Sequence, residues 1–205
     1  MLTKLGALAL ALALATACGG EPPPPAQTGG TPGPVVNEVE PYMPLVTDTV
    51  LAYDTKNENS GERGVLMMRI RRARADLAEL TVGGRVQRLE LTPEGIRQTE
   101  GGWLLKAPLT EGAHFKGSFG DVTVTAVGKP MNVPAGNFGD CVETVEEAPT
   151  KQKKVTTTFC RDVGIVRLDV EGAVGDDYQR ESAVLRSHGP AVDIGADLPP
   201  PPPKH

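Results

Sequence analysis

From about residue 46 to residue 186, apolar and polar positions alternate in short runs, broken at close intervals by Gly, Pro and Asn. Period-two alternation puts successive side chains on opposite faces of a sheet, so the pattern predicts an antiparallel β-protein. Residues 46–53 read as the first strand, ended by the polar loop Lys56-Asn57-Glu58-Asn59-Ser60-Gly61. Residues 64–71 and 77–82 come next, and Gly83-Gly84 turns the chain into 85–91. Pro93-Glu94-Gly95 leads into 96–99, and Gly101-Gly102 into 103–106. The second half gives strands around Phe115 and over 121–127, 141–147, 155–160, 165–170 and 178–186, with Val133-Pro134-Ala135-Gly136-Asn137 as a loop. Residues 71–80 admit two readings. Their Arg, Ala and Leu suit a helix of about three turns, whereas Gly83-Gly84 and the alternating Arg85-Val86-Gln87-Arg88-Leu89 favour strand–turn–strand. The predicted fold is mainly β: one curved antiparallel sheet or partly open barrel, flanked by disordered N- and C-terminal tails.

The two ends depart from this pattern. Lys4 is followed by an apolar Leu/Ala run over residues 5–15, shorter than the roughly 20 apolar residues that a membrane-spanning helix needs. This is the layout of an export signal. Ala15-Thr16-Ala17-Cys18 places small residues before a cysteine and resembles the bacterial lipobox, in which the cysteine becomes the lipidated N-terminus. The alternative is an ordinary signal with a chance cysteine. A second or third acyl chain converts marginal membrane binding into stable anchoring, at about 0.8 kcal/mol per buried methylene. Gly19 stands where an acidic residue would, by resemblance to diderm sorting signals, retain the protein at the inner membrane, so an outer-membrane location is favoured. Residues 1–17 are therefore read as signal peptide and 18–40 as lipidated cysteine and Pro/Gly-rich linker. Residues 41–188 are the β-rich domain, and 189–205 a Pro-rich tail ending in Pro199–Pro203, Lys204 and His205. That tail is a solvated segment or a polyproline ligand for a grooved partner.

Charge and composition narrow the partners. Removing residues 1–17 takes away only Lys4, leaving 20 basic against 26 acidic residues, a net charge of −6. Mild acidity argues against nucleic acid and against electrostatic adhesion of the whole chain to anionic lipid. Aromatics make up 4% of the chain, so few rings are available to stack on bases or sugars, and Val, Leu and Ile must build the core.

Of three cysteines, Cys18 is assigned to lipid, leaving Cys141 and Cys160 as an even remainder in an exported chain. If their strands pair about a turn near Thr150-Lys151, position i faces position 301 − i. Cys141 then meets Cys160, Val142 meets Phe159, and Glu147 meets Lys154. A disulfide in that register would contribute on the order of 3 kcal/mol in the chain-entropy model; two buried free thiols are the alternative. The absence of Cys-x-x-Cys spacing argues against a redox-active pair.

Several motifs resemble a group of uncharacterised bacterial lipoproteins. Tyr42-Met43-Pro44-Leu45 leading into Asp48-Thr49-Val50-Leu51-Ala52-Tyr53 resembles the opening of their domain, with Val50 where that group has Trp. Leu105-Lys106-Ala107-Pro108-Leu109-Thr110-Glu111-Gly112 before Phe115, Val133-Pro134-Ala135-Gly136-Asn137-Phe138, and Asp162-Val163-Gly164-Ile165-Val166 match their later turns. The group carries no assigned activity. Its strand pattern is similar to lipoprotein-carrier (LolA-like) folds, which implies a curved sheet around an apolar cavity and a lipid- or hydrophobe-binding role.

Reactive constellations are scarce. His114, His188 and His205 form no ligand set by spacing. Gly117-Ser118-Phe119-Gly120 approaches a nucleophile elbow, but Lys116 stands where its first glycine belongs, and a surface turn is the better reading. Gly172-Ala173-Val174-Gly175 lacks the downstream Lys-Ser/Thr and the helix that a phosphate-binding loop requires. Asp176-Asp177 and Glu143, Glu146 and Glu147 could hold calcium, or be solvated faces balancing Lys151, Lys153 and Lys154. Arg69, Arg71, Arg72 and Arg74 would split between the two faces of a strand as edge-protecting charge. No catalytic, cofactor or metal residue is assigned. The sequence points to a non-enzymatic, membrane-anchored envelope lipoprotein that binds or scaffolds. A carrier of hydrophobic ligands is the alternative, and a hydrolase with an unrecognised site, at Ser118 or another serine in its serine version, is a third reading. The partners implied are a membrane through lipid on Cys18, and an envelope protein or a hydrophobic ligand.

Overall fold

A computed structural model describes residues 37–191 of the chain, except 149, 151, 175 and 176. The residues read as signal peptide (1–17), Cys18, the stretch read as linker as far as residue 36, and residues 192–205 lie outside the described residues.

Among the described residues, twelve strands build one antiparallel sheet. They are β1 (Thr49–Asn57), β2 (Arg63–Arg74), β3 (Leu77–Val82), β4 (Arg85–Thr92), β5 (Gly95–Gln98), β6 (Trp103–Lys106), β7 (His114–Lys116), β8 (Asp121–Val133), β9 (Gly136–Ala148), β10 (Lys153–Cys160), β11 (Gly164–Val174) and β12 (Asp177–Pro190). The spatial order is β6-β5-β4-β3-β2-β1-β12-β11-β10-β9-β8-β7. Two six-stranded meanders thus spread in opposite directions from a central β1–β12 pairing. Their outer edges, β6 and β7, are consecutive in the chain, and the sheet is nearly closed into a barrel. The connection between them is stitched to both flanks: Ala107 N donates to Glu94 O at 2.9 Å, and Gly112 N to Val124 O at 2.8 Å. A Cβ on Gly102 would overlap the carbonyl oxygen of Gly117, so the edges meet where only glycine fits.

Residues 71–80 are two strands and a turn. Ile70 faces Leu80 and Arg72 faces Ala78 across β2–β3, which sets Ile70, Leu80 and Ala78 on one buried face. β9 and β10 pair in the 301 − i register throughout, with Cys141 opposite Cys160. The first strand begins later than its pattern suggests, at Thr49, because Asp48 at φ 62° turns the chain and leaves Val46 outside. The loop expected over 133–137 contracts to Pro134-Ala135, since β8 runs to Val133 and β9 resumes at Gly136. Three register shifts bend this hairpin. Its tip folds back so that Ala135 N donates to Leu185 O at 3.1 Å.

Strand alternation supplies the core. Leu51, Tyr53, Met68, Ile70, Leu80, Leu89, Val142, Phe159 and Leu185 are all buried. Tyr53 is fully enclosed, and its hydroxyl donates to Ile165 O at 2.8 Å, so its polar end is satisfied. Burial holds the Tyr53 phenol well above its ordinary value. With the folded value raised, this contribution to stability is present below about pH 10 and is lost as pH rises toward the folded value. Tyr53→Phe is expected to cost about 1 kcal/mol at neutral pH and to flatten the decline of stability above pH ~10. Urea unfolding across pH checks both; an unchanged alkaline limb would show that Tyr53 does not govern it.

Candidate functional site

The segment immediately before β1 leaves the sheet and enters its interior. Asn37 starts it with a side-chain turn: its Oδ1 accepts from Val39 N at 3.1 Å and Glu40 N at 2.6 Å, and its Nδ2 donates to Thr92 O at 2.8 Å. A single 3-10 turn, Glu40–Tyr42, comes next, with Pro41 near its start. Val39, Tyr42, Met43 and Leu45 are each 5% exposed or less. Burial of four such side chains contributes on the order of 6–10 kcal/mol as an upper bound. The folded body therefore takes in residues 37–40, which the sequence pattern places in the linker.

Polar contacts fix this insert to both meanders. Glu38 Oε1 accepts from Leu109 N at 3.1 Å, Arg72 pairs with Glu40 at 2.5 Å, and Asp162 N donates to Pro41 O at 2.7 Å. Tyr42 sits in a clamp. Its hydroxyl donates to Asp140 Oδ1 at 2.9 Å and accepts from Arg161 Nη2 at 3.1 Å. Arg161 Nε donates to Asp140 Oδ2 at 2.6 Å, and its guanidinium lies 4.7 Å from the Tyr42 ring centre. The hydrogen bond from Arg161, with that from Tyr42, holds the Asp140 carboxyl below the usual carboxylate range. Cys141 and Cys160 are bonded to each other directly beside this pair, so a covalent cross-link sets the strand ends that carry the clamp.

The opposite end of the sheet is open. Counting in twos from the buried Tyr53, Met68, Val166 and Leu185 leads to Thr55, Leu66, Leu168, Val170 and Ala183 on the same inner face. These residues, with Glu181, line a cleft of about 380 Å³. A second cleft of about 490 Å³ shares Val170 and Glu181 with it and adds Lys153 and Gln179. Among the described residues, the insert thus fills interior space where the carrier-like resemblance implies a cavity, and a cleft opens at the mouth.

The other candidate residues are dispersed. Cys18, His205 and Asp176 lie outside the described residues. His114 Nδ1 pairs with the Thr123 hydroxyl at 2.9 Å, and His188 lies 6.3 Å from Phe138, ring centre to ring centre. Ser118 is in a tight turn closed by Gly117 N to Gly120 O at 2.9 Å. Glu146 caps that turn, accepting from Phe119 N and Gly120 N. Glu143 pairs with Lys129, and Glu147 with Lys154. Each arginine of the basic cluster meets a carboxylate: Arg69 with Asp48, Arg71 with Glu79, Arg72 with Glu40, Arg74 with Asp76. Among the described residues, no group of three or more His, Cys, Asp or Glu converges on a point. The Tyr42–Asp140–Arg161 clamp is what sequence reasoning missed. Its one sequence signal is the apolar run Tyr42-Met43-Pro44-Leu45 standing outside any strand pattern.

Leu45→Ala is expected to destabilise the domain by about 2–4 kcal/mol, and Arg161→Gln, at a half-exposed, solvent-screened pair, by clearly less. The depressed Asp140 value means that its contribution is present above pH ~4 and is lost as pH falls through the folded value. Asp140→Asn should therefore remove part of the acid sensitivity. Denaturant melts at neutral and acid pH test all three; equal losses for Leu45→Ala and Arg161→Gln would contradict this division.

No protein-family model matches the sequence, and no curated protein matches it. Among solved structures, the chain is similar to an exported protein of Bacteroides fragilis described as having a YmcC-like fold. The identity is 11% and the TM-score 0.44, over 72% of this chain and 98% of that one. It is also similar to a lipoprotein of Parabacteroides distasonis, at 12% identity and a TM-score of 0.38, over the same shares of the two chains. A likeness of this extent carries no argument, and the functional reading stands on the chain's own residues.

Proposed function

We propose that the chain is a lipid-anchored lipoprotein of the bacterial cell envelope, at the outer membrane, whose β-domain is a non-enzymatic binding or scaffolding module. The observation that carries this reading is the filled interior. Val39, Tyr42, Met43 and Leu45 occupy the space that a carrier would give to its ligand, so the working surfaces are the outside of the sheet and its mouth. The export signal, the lipobox at Cys18 and the Pro/Gly-rich spacer support the address. The dispersal of histidines, serine and carboxylates favours binding over catalysis.

A second reading, a carrier of apolar ligands, draws on the mouth cleft and its Leu66, Leu168, Val170 and Ala183. A cleft of about 380 Å³ open at one end suits a short apolar group held partly in water better than a whole acyl chain enclosed.

Cys18→Ser is expected to move the protein from the membrane fraction to the soluble envelope fraction, and mass spectrometry of the wild-type N-terminal peptide should find acylated Cys18. A wild-type chain with an unmodified thiol would refute the anchor. Native mass spectrometry of the purified protein is expected to show bare protein mass. A co-purified lipid lost on Leu168→Glu would move the assignment to the carrier reading.

A further inference from the structure

The outer face of β1–β4 carries apolar side chains where a solvated sheet would carry polar ones. Val65, Met67 and Val86 are 61%, 59% and 58% exposed. Val65 and Met67 lie on one face of β2, with Asp54 beside Val65, and Val86 lies two strands away across Arg69 and Thr81. Ala52 stands beside Met67, and Val50 beside Arg69; Arg69 stands beside Thr81, and Thr81 beside Val86. Val50, Ala52, Val65 and Met67 floor an open depression of about 760 Å³, rimmed by Gly83, Gly84 and Gly189. Single exposed apolar residues need no explanation, but a contiguous set across adjacent strands marks a contact surface.

Charge indicates what meets it. Residues 63–98, which span β2–β5, hold eight arginines against the four carboxylates Asp76, Glu79, Glu90 and Glu94, a local net of +4. Residues 136–190 hold seven basic against ten acidic residues, a local net of −3. Ion pairs take up much of this excess: Arg69 meets Asp48, Arg71 meets Glu79, Arg72 meets Glu40, Arg74 meets Asp76 and Arg97 meets Glu90. The cations left over are Arg88, which reaches Glu79 only at 3.9 Å because Arg71 holds that carboxylate at 2.5 Å, and Arg63 and Arg85, which form no ion pair among the described residues. A second copy of this chain would set like charges against each other across the face. A surface that is apolar beneath and anionic above fits both features.

We propose that the outer face of β1–β4 lies on an anionic lipid bilayer, with Val65 and Met67 at the boundary of headgroups and acyl chains and the surrounding arginines among lipid phosphates. This rests on the reading that Cys18 is lipidated. Eighteen residues separate Cys18 from Asn37; drawn out in polyproline geometry, such a length would span on the order of 50 Å, enough for the domain to turn this face to the membrane.

The test uses full-length protein extracted from membranes, carrying Val65→Cys, Met67→Cys or, as a control on the exposed edge of β8, Thr125→Cys. Lipid on Cys18 and the Cys141–Cys160 bond leave the new thiol free to take a fluorophore. The protein is placed in vesicles of phosphatidylethanolamine and phosphatidylglycerol at about three to one, an anionic surface. Brominated lipid and aqueous iodide are then compared as quenchers. Labels at 65 and 67 are expected to be quenched by brominated lipid at least about threefold more than the label at 125, and to be shielded from iodide. Equal exposure of all three labels to iodide, in protein that floats with the vesicles, overturns the proposal while leaving the anchor standing. Shielding from both quenchers marks a second copy on the face and also overturns it. A second label on Cys18 with no flotation removes the anchor, and the proposal with it.

Discussion

Closing a sheet of twelve strands creates a width that its own side chains cannot span, since about eight strands already give an interior just wide enough to be filled from the walls. This constraint governs the rest of the molecule. With aromatics at 4% of the chain, the walls offer mainly Val, Leu, Ile and Met. The space is filled by a segment that belongs to no strand: Val39, Tyr42, Met43 and Leu45 enter from the side where the linker arrives and are buried against both meanders. The barrel and its insert are one packing solution, and neither is complete alone.

The insert is held by polar contacts that reach across the whole fold. Asn37 bonds to the end of β4, Glu38 to the β6–β7 connection, Glu40 to Arg72 of β2, and Tyr42 to Asp140 and Arg161 beside the disulfide. A bond between Cys141 and Cys160 shortens the denatured chain and also keeps Asp140 and Arg161 together at the ends of their strands. The covalent link and the clamp thus act on the same place, where the chain from the linker enters the fold.

Filling the interior leaves the outside of the sheet and its mouth as the surfaces open to contact. One end of the sheet is closed by the insert and by the bent β8–β9 hairpin, the other keeps a shallow mouth, and the outer face of β1–β4 is apolar within a basic surround. Charge is segregated along the sheet although the chain as a whole is acidic, because the arginines cluster in β2–β5 and the carboxylates in β9–β12. A single net charge conceals such a division, which is why the bulk number argues against lipid contact while one face favours it.

Much of the fold was legible in the sequence because it is local. Alternation marked the strands, Gly83-Gly84 and Gly101-Gly102 marked turns, and the 301 − i relation set the β9–β10 register from matched thiols, apolar residues and opposite charges on a single hairpin. Pairing between neighbours costs little loop entropy, so each hairpin is written in its own residues. Other features were decided only by tertiary structure. The β1–β12 pairing joins the two ends of the domain, Tyr42 meets partners 98 and 119 residues away, and Tyr53 reaches Ile165 across 112. No periodicity encodes such contacts. Residues 37–45 carry neither strand alternation nor helical spacing, and their place in the fold comes from the void left when the sheet curls.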